Sequence, residues 1–209
     1  MENPLSPSDL DLRMAAVSRL QQSDLVWPDP SCQSFAARFP ELTPEALETA
    51  MARAFNGPQL DAARACAACV EGRGGRRLAL VQGPPGTGKT TVACRILKAW
   101  SRAHAEAGVL ATSDSNIAVD NLLEGMVKQG VKVVRVGRPE NSRPELLQYS
   151  AEEMAARELG VDRRDLYSRK DGAQTIDRMI RDAEVVCATT VGCGSAAVQK
   201  RVFARVLVD

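Results

Sequence analysis

The chain has 209 residues, of which 44% are apolar and 25% charged, with a formal net charge of +1. These values suit one α/β domain with additional segments and a core of ordinary size. They exclude a membrane protein of the helical kind, because no apolar run approaches the roughly 18 residues that a span requires.

Charge is unevenly spread. Residues 1–50 carry eight acids and three bases, which leaves a modestly basic remainder compatible with a polyanionic partner. Aromatic residues are only 4%, so Ala, Val, Leu and Ile must build the core. Met1 to Leu12 is polar and bears Pro and Ser, unlike a signal peptide. The six cysteines, Cys32, Cys66, Cys69, Cys94, Cys187 and Cys193, are therefore expected as free thiols in a reducing, intracellular setting, cytoplasmic or nuclear. Cys66 and Cys69 have metal-ligand spacing. No second pair follows at zinc-site distance, and the single histidine is His104. Thiols on an Ala-rich helix are the expected reading.

In chain order, residues 12–22 are expected to form a short helix, and Trp27-Pro28-Asp29-Pro30 interrupts it. Thr43 caps a second helix with Pro44 in its first position, running to about residue 54. Residues 1–54 read as an N-terminal extension, partly helical or disordered, and not as an independent domain. A helix follows over 59–70, a Gly/Arg loop over 71–77, and a first strand over 78–82. An amphipathic helix is expected over 89–105, with Val92, Ile96, Leu97 and Trp100 at helical spacing. A strand over 109–112 leads to a helix over 116–129, whose apolar face takes Ile117, Val119, Leu122, Leu123 and Met126, with Gly130 as its C-terminal cap. A third strand covers 131–136. Residues 138–181 are charged and helix-prone, and read as a helical excursion. The sheet resumes over 184–189 and ends with 206–208. Strands alternating with helices imply a parallel sheet covered on both faces, with ligands beyond the carboxyl ends of its strands.

Between the first strand and its helix stands Gly83-Pro84-Pro85-Gly86-Thr87-Gly88-Lys89-Thr90. Gly83, Gly86 and Gly88 are expected to adopt angles that a Cβ would block, so that successive amides wrap a polyphosphate. The helix N-terminus adds positive potential. Lys89 is placed to reach the β- and γ-phosphates, and the Thr90 hydroxyl to join Mg²⁺.

Three further segments narrow the reading: Phe55-Asn56-Gly57-Pro58-Gln59, Ser115-Asn116-Ile117-Ala118-Val119-Asp120-Asn121-Leu122, and Cys187-Ala188-Thr189-Thr190-Val191-Gly192. With the glycine-rich loop, they make the chain from about residue 55 to 209 resemble superfamily 1 helicases, specifically the group of the nonsense-mediated mRNA decay helicase and the senataxin-type helicases. The match is poor over 138–181. The resemblance implies a RecA-like P-loop NTPase domain over 55–209, binding ATP and Mg²⁺ and translocating 5′ to 3′ on single-stranded RNA or DNA. It implies that Gln59 contacts adenine. Gly83, Pro84, Pro85, Gly86, Thr87, Gly88, Lys89, Thr90 and Thr91 would hold the nucleotide. Thr90 and Asp209 would hold the metal, with Lys89 and Asp209 as catalytic groups. Ser115, Asn116, Thr189, Val191 and Gly192 would grip the strand.

Related proteins often carry Ala-Pro where this chain has Ser113-Asp114. An acid beside a phosphate path repels it unless the carboxylate faces away or caps the helix. In the family a glutamate that orients the attacking water follows the position of Asp209. The expectation is thus a fragment of a longer motor, binding ATP weakly and hydrolysing little of it. A non-motor nucleotide switch or AAA-type ATPase shares the loop alone, and a non-catalytic scaffold would not need Lys89 and Thr90.

Overall fold

Four apolar runs separated by amphipathic helices form one parallel sheet in the computed structural model of the chain, which describes residues 55–67, 78–103 and 108–209. The expected extension over 1–54, the loop over 71–77, Cys32, Cys69 and His104 lie outside the described residues. The strands are β1 (Val109–Ser113), β2 (Val133–Val136), β3 (Val185–Thr189) and β4 (Arg205–Val208), in the order β2-β3-β1-β4. β1 pairs with β3 from Val109↔Val185 to Ser113↔Thr189, and with β4 from Val109↔Arg205 to Thr112↔Val208.

Parallel strands need long crossovers, and helices supply them here. The helices are α1 (Gly57–Ala67), α2 (Lys89–Ala103), α3 (Asn116–Lys128), α4 (Ala151–Leu159), α5 (Gly172–Asp182) and the short α6 (Ala196–Gln199). Side chains alternate across a strand, so each face of the sheet has its own core. Val109, Ala111, Val185 and Cys187 pack with Ala63 of α1, Leu97 of α2, and Leu122 and Leu123 of α3. Leu110, Val134, Val186 and Ala188 pack on the opposite face with Ala155 of α4, Ile176 and Ile180 of α5, and Val198 of α6. Residues 138–182 thus contribute α4, α5 and the 3-10 turn Arg163–Ser168 to the second layer, while Leu146 and Tyr149 of the 3-10 turn Pro144–Tyr149 join the first core.

Two expectations about individual elements are corrected. Residues 78–82 form no strand. Leu80 and Val81 are 71% and 45% exposed, while Ala79 packs against the first core. An extended run becomes a strand only with a ladder partner, and no described strand pairs with this segment; β4 is the last strand of the sheet on its side. Ile117, expected on the apolar face of α3, is 74% exposed in the helix's first turn.

Helices α2 and α3 approach closely where Gly125 meets Cys94. A Cβ at Gly125 would fall inside the contact distance of the Cys94 sulfur. Gly125→Ala is expected to destabilise the chain by about 1–3 kcal/mol through overpacking. Combining it with Cys94→Ala should recover part of that loss in urea denaturation; equal losses in single and double variants would count against this contact.

Burial also governs the thiols. Burial, then the carboxylate of Asp209, pushes the Cys94 thiol from the ordinary 9.0 up to about 11, and burial raises that of Cys187 as well. A raised folded value means that this contribution to stability is intact below the unfolded thiol's 9.0 and is lost as pH climbs through the folded value. Urea midpoints should therefore be flat up to about pH 9 and fall toward pH 11 for Cys94. The fall should shrink in Cys94→Ala.

Candidate nucleotide and nucleic-acid site

The glycine-rich segment folds as a tight loop into α2. Thr87 donates from its amide to the Pro84 carbonyl at 3.4 Å and from its hydroxyl at 2.8 Å. Gly86 and Gly88 have φ of +76° and +80°, a region that costs a residue with a Cβ. Gly83 departs from the expectation: its φ is not positive, and its role is space, since a Cβ there would stand 2.9 Å from Thr87 Oγ1. Left-handed glycines turn consecutive amides toward one side, which is the geometry of an anion nest.

Lys89 Nζ donates to the Gly83 carbonyl at 2.8 Å and the Pro84 carbonyl at 2.9 Å, so the ammonium lies over the loop. α2 runs for fifteen residues from Lys89, long enough for its N-terminus to carry a substantial positive dipole end. Thr90 is half-buried, while Pro84, Pro85, Thr87 and Thr91 are exposed. The loop thus offers what a nucleotide's phosphates need: an amide nest, a cation over it and a hydroxyl beside it.

Gln59 braces this loop. Asn56 accepts from the Gln59 amide through Oδ1 at 3.1 Å, and Gln59 Oε1 accepts from the Asn56 amide at 3.1 Å. This reciprocal pair is a capping box for α1. The other end of the same side chain, Nε2, donates to the Thr87 carbonyl at 2.9 Å. Gln59 thus both starts α1 and holds the glycine-rich loop.

The carboxyl ends of the strands meet at one edge because β1 is parallel to both neighbours. The backbone amide of Asp209 donates to the Thr112 carbonyl at 2.9 Å, and Ser113 Oγ donates to the Asp209 carbonyl at 2.8 Å. The Asp209 carboxylate is near enough to raise the Cys94 thiol. Cys94 lies four residues beyond Thr90 on α2, hence on the same helix face.

Ser115 caps α3, with φ −100° and ψ 145°, accepting from the Ala118 amide at 3.1 Å. The N-cap position is thus Ser115 and not Asp114, whose Oδ1 accepts from Thr190 Oγ1 at 3.1 Å, tying the turn after β1 to the turn after β3. Both residues that depart from the family's Ala-Pro thus make cross-links at the strand ends. Thr189 Oγ1 accepts from the Gly192 amide at 3.0 Å, which shapes the turn after β3, and Val191 and Gly192 are half-buried there. Asn116 Oδ1 accepts from Arg135 Nη2 at 2.8 Å.

Arg135, with its partner Asp120, is the group that sequence reasoning missed. Both side chains are 2% exposed and pair at 2.8 Å from Nε to Oδ1. The signal was a lone arginine inside an apolar strand and an acid on the buried side of an amphipathic helix. Among the described residues no group of three or more His, Cys, Asp or Glu side chains could hold a metal, and Cys66 is buried in α1. No helix among them is long and apolar enough to cross a membrane.

Residues 54–171, more than half of the chain, match the family described as an AAA domain. The chain belongs to that family. Its relatives place it in the nonsense-mediated-decay helicase group of superfamily 1. It is 34% identical over 156 residues to regulator of nonsense transcripts 1 of Caenorhabditis elegans, covering 64% of this chain and 14% of that protein. It is 26% identical over 167 residues to the DNA polymerase alpha-associated DNA helicase A of Schizosaccharomyces pombe, covering 64% and 25%. It is 46% identical over 77 residues to an uncharacterized ATP-dependent helicase of Methanocaldococcus jannaschii, covering 36% and 12%. The chain spans a quarter or less of the length of these relatives. Membership of this family implies use of a nucleotide.

Gln59→Ala removes the brace and the side-chain half of the capping box together. It should lower stability by about 1 kcal/mol, as for other lost caps, and weaken binding of a fluorescent ADP. Gln59→Glu keeps Oε1 for the Asn56 amide but loses the Nε2 donor, so it should keep most of the stability and lose nucleotide affinity. Equal nucleotide affinity in all three proteins would remove Gln59 from the site.

Proposed function

We propose that this chain is an ATP- and Mg²⁺-binding motor domain of a helicase acting on single-stranded RNA or DNA. The observation that carries the reading is the meeting of three strand ends: Ser113 lies in register with Thr189, and its hydroxyl bonds the Asp209 carbonyl. A residue suited to a metal and the turns suited to a polynucleotide thereby share one edge of the sheet, where open parallel sheets bind their ligands.

In this reading the amides of 83–88 and the Lys89 ammonium take the triphosphate, and Gln59 holds the loop and meets adenine with the remaining capacity of its amide. Thr90 and Asp209 hold Mg²⁺, which neutralises charge on the leaving phosphates. The N-terminus of α3, with Ser115 and Asn116, and the turn of Thr189, Val191 and Gly192 take the sugar-phosphate backbone of the strand. The domain is taken as residues 55–209. Translocation and unwinding are activities of the whole protein, of which this domain is one part.

The test is direct. Lys89→Ala should reduce ATP-analogue affinity by at least tenfold, the scale of one charge-assisted contact, with an unchanged thermal midpoint because the ammonium faces the loop and not the core. Poly(U) and oligo-dT should each bind less well as salt rises. A wild-type chain that binds ATP but neither polymer would favour a non-motor nucleotide switch, and unaltered nucleotide affinity in Lys89→Ala would remove the phosphate-loop reading.

A further inference from the structure

We infer that Arg135 is a positioning residue for strand binding: its buried guanidinium fixes the carbonyl end of Asn116 and thereby aims the amide's N–H donors at the polynucleotide. The inference rests on the proposed role of the Ser115-Asn116 turn and adds the residue that orients it.

An arginine buried under a sheet is costly unless its charge is paired and its donors are used. Arg135 is 2% exposed, and its three nitrogens all have acceptors. Nε donates to Asp120 Oδ1 at 2.8 Å, Nη1 to the Val136 carbonyl at 3.1 Å, and Nη2 to Asn116 Oδ1 at 2.8 Å. A guanidinium has donors only. Asn116 can therefore meet it only with its oxygen, which leaves the NH₂ end as the half available to a ligand. The flipped amide would set N–H against N–H at Arg135 and turn a carbonyl toward the phosphates. One side chain thus removes the two-fold ambiguity of another.

The fork itself is held in place. Asp120 Oδ2 accepts from the Arg143 amide at 2.9 Å, and Arg143 Nη2 donates to the Asp120 carbonyl and to Glu124 Oε2, each at 3.0 Å. The acid that pairs with Arg135 is therefore anchored from the segment after β2 as well as from its own helix. A second feature makes room for the guanidinium: Gly137 has φ +141°, and a Cβ there would stand 2.8 Å from Arg135 Nη1. Asp120 and Asn116 lie one helical turn apart on α3, so both can meet one planar fork.

The experiment measures binding of a fluorescein-labelled U12 oligonucleotide to the 209-residue wild type, Asn116→Ala, Arg135→Lys and the double variant across a salt series. Lysine keeps a positive charge for Asp120 and loses the fork. Asn116→Ala is expected to weaken binding about tenfold, the scale of a hydrogen bond to a charged group. Arg135→Lys should weaken it comparably, and by less than about twofold once Asn116 is already Ala, because the two act as one unit. The slope of log Kd against log salt should be the same in Arg135→Lys as in wild type, since Arg135 touches no phosphate, and ADP affinity should stay within about twofold.

Unchanged oligonucleotide affinity in Arg135→Lys, losses that multiply in the double variant, a salt slope reduced by about one, or ADP affinity falling in step would each overturn the inference. Failure of the wild type to bind U12, or of Asn116→Ala to weaken it, would remove the proposed role of the turn itself and the inference with it. Should Arg135→Lys not fold, ¹⁵N relaxation of the wild-type Asn116 side-chain amide decides: an order parameter above about 0.6 supports the anchoring, and one below it overturns it.

Discussion

Parallel pairing of β1 with both of its neighbours is the constraint on which the site depends. A parallel ladder obliges every strand to leave the sheet at the same edge, and each crossover to pass over a face as a helix. The loops that carry chemistry then have no freedom to scatter. β1 ends in Ser113, opposite Thr189 at the end of β3, and Thr112 lies opposite Val208, one residue before Asp209. Segments 76 and 96 residues away along the chain are joined to 113–114 by side-chain hydrogen bonds at this edge.

The buried pair of Arg135 and Asp120 adds a different kind of constraint. Such a pair contributes little net stability, because desolvation of both ions offsets most of their attraction. Removing one partner is another matter, since the survivor is left charged in a dry interior. Its contribution is therefore to specify an arrangement: the first turn of α3 is locked to β2 at one angle, and the chain after β2 is drawn over the same acid. The apolar layers on either side of the sheet give the domain its stability. This polar seam sets the orientation of the turn that follows β1.

Much of this was legible in the sequence. The helices beginning at Lys89 and Asn116 and the strands at 109, 133, 185 and 205 follow from periodicity and from short β-branched runs, to within two residues at most of these ends. The phosphate loop could be read because its glycines and lysine are adjacent, so the chemistry is local. Residues 78–82 were read wrongly for the opposite reason. Their apolar run has strand composition, but strand formation is decided by a neighbour, and composition carries no record of one. Ile117 fits the apolar spacing of α3 on paper, yet in the first turn of that helix its side chain is left exposed among the described residues. Arg135 and Asp120 were given no role of their own, because neither position names its partner when read alone. Only the fold brings positions 15 residues apart into one buried pair.

β4 closes the described sheet on one side, and its alternation leaves Val206 and Val208 53% and 69% exposed while Leu207 turns toward the first core. A bordering strand of this kind presents a row of amides and carbonyls together with apolar side chains, with no bulge or proline to blunt it. Its chemistry suits adhesion to any other extended segment. Among the described residues, the strand that bears the Asp209 carboxylate at its tip is therefore a surface through which concentrated preparations of the chain can clump by backbone pairing.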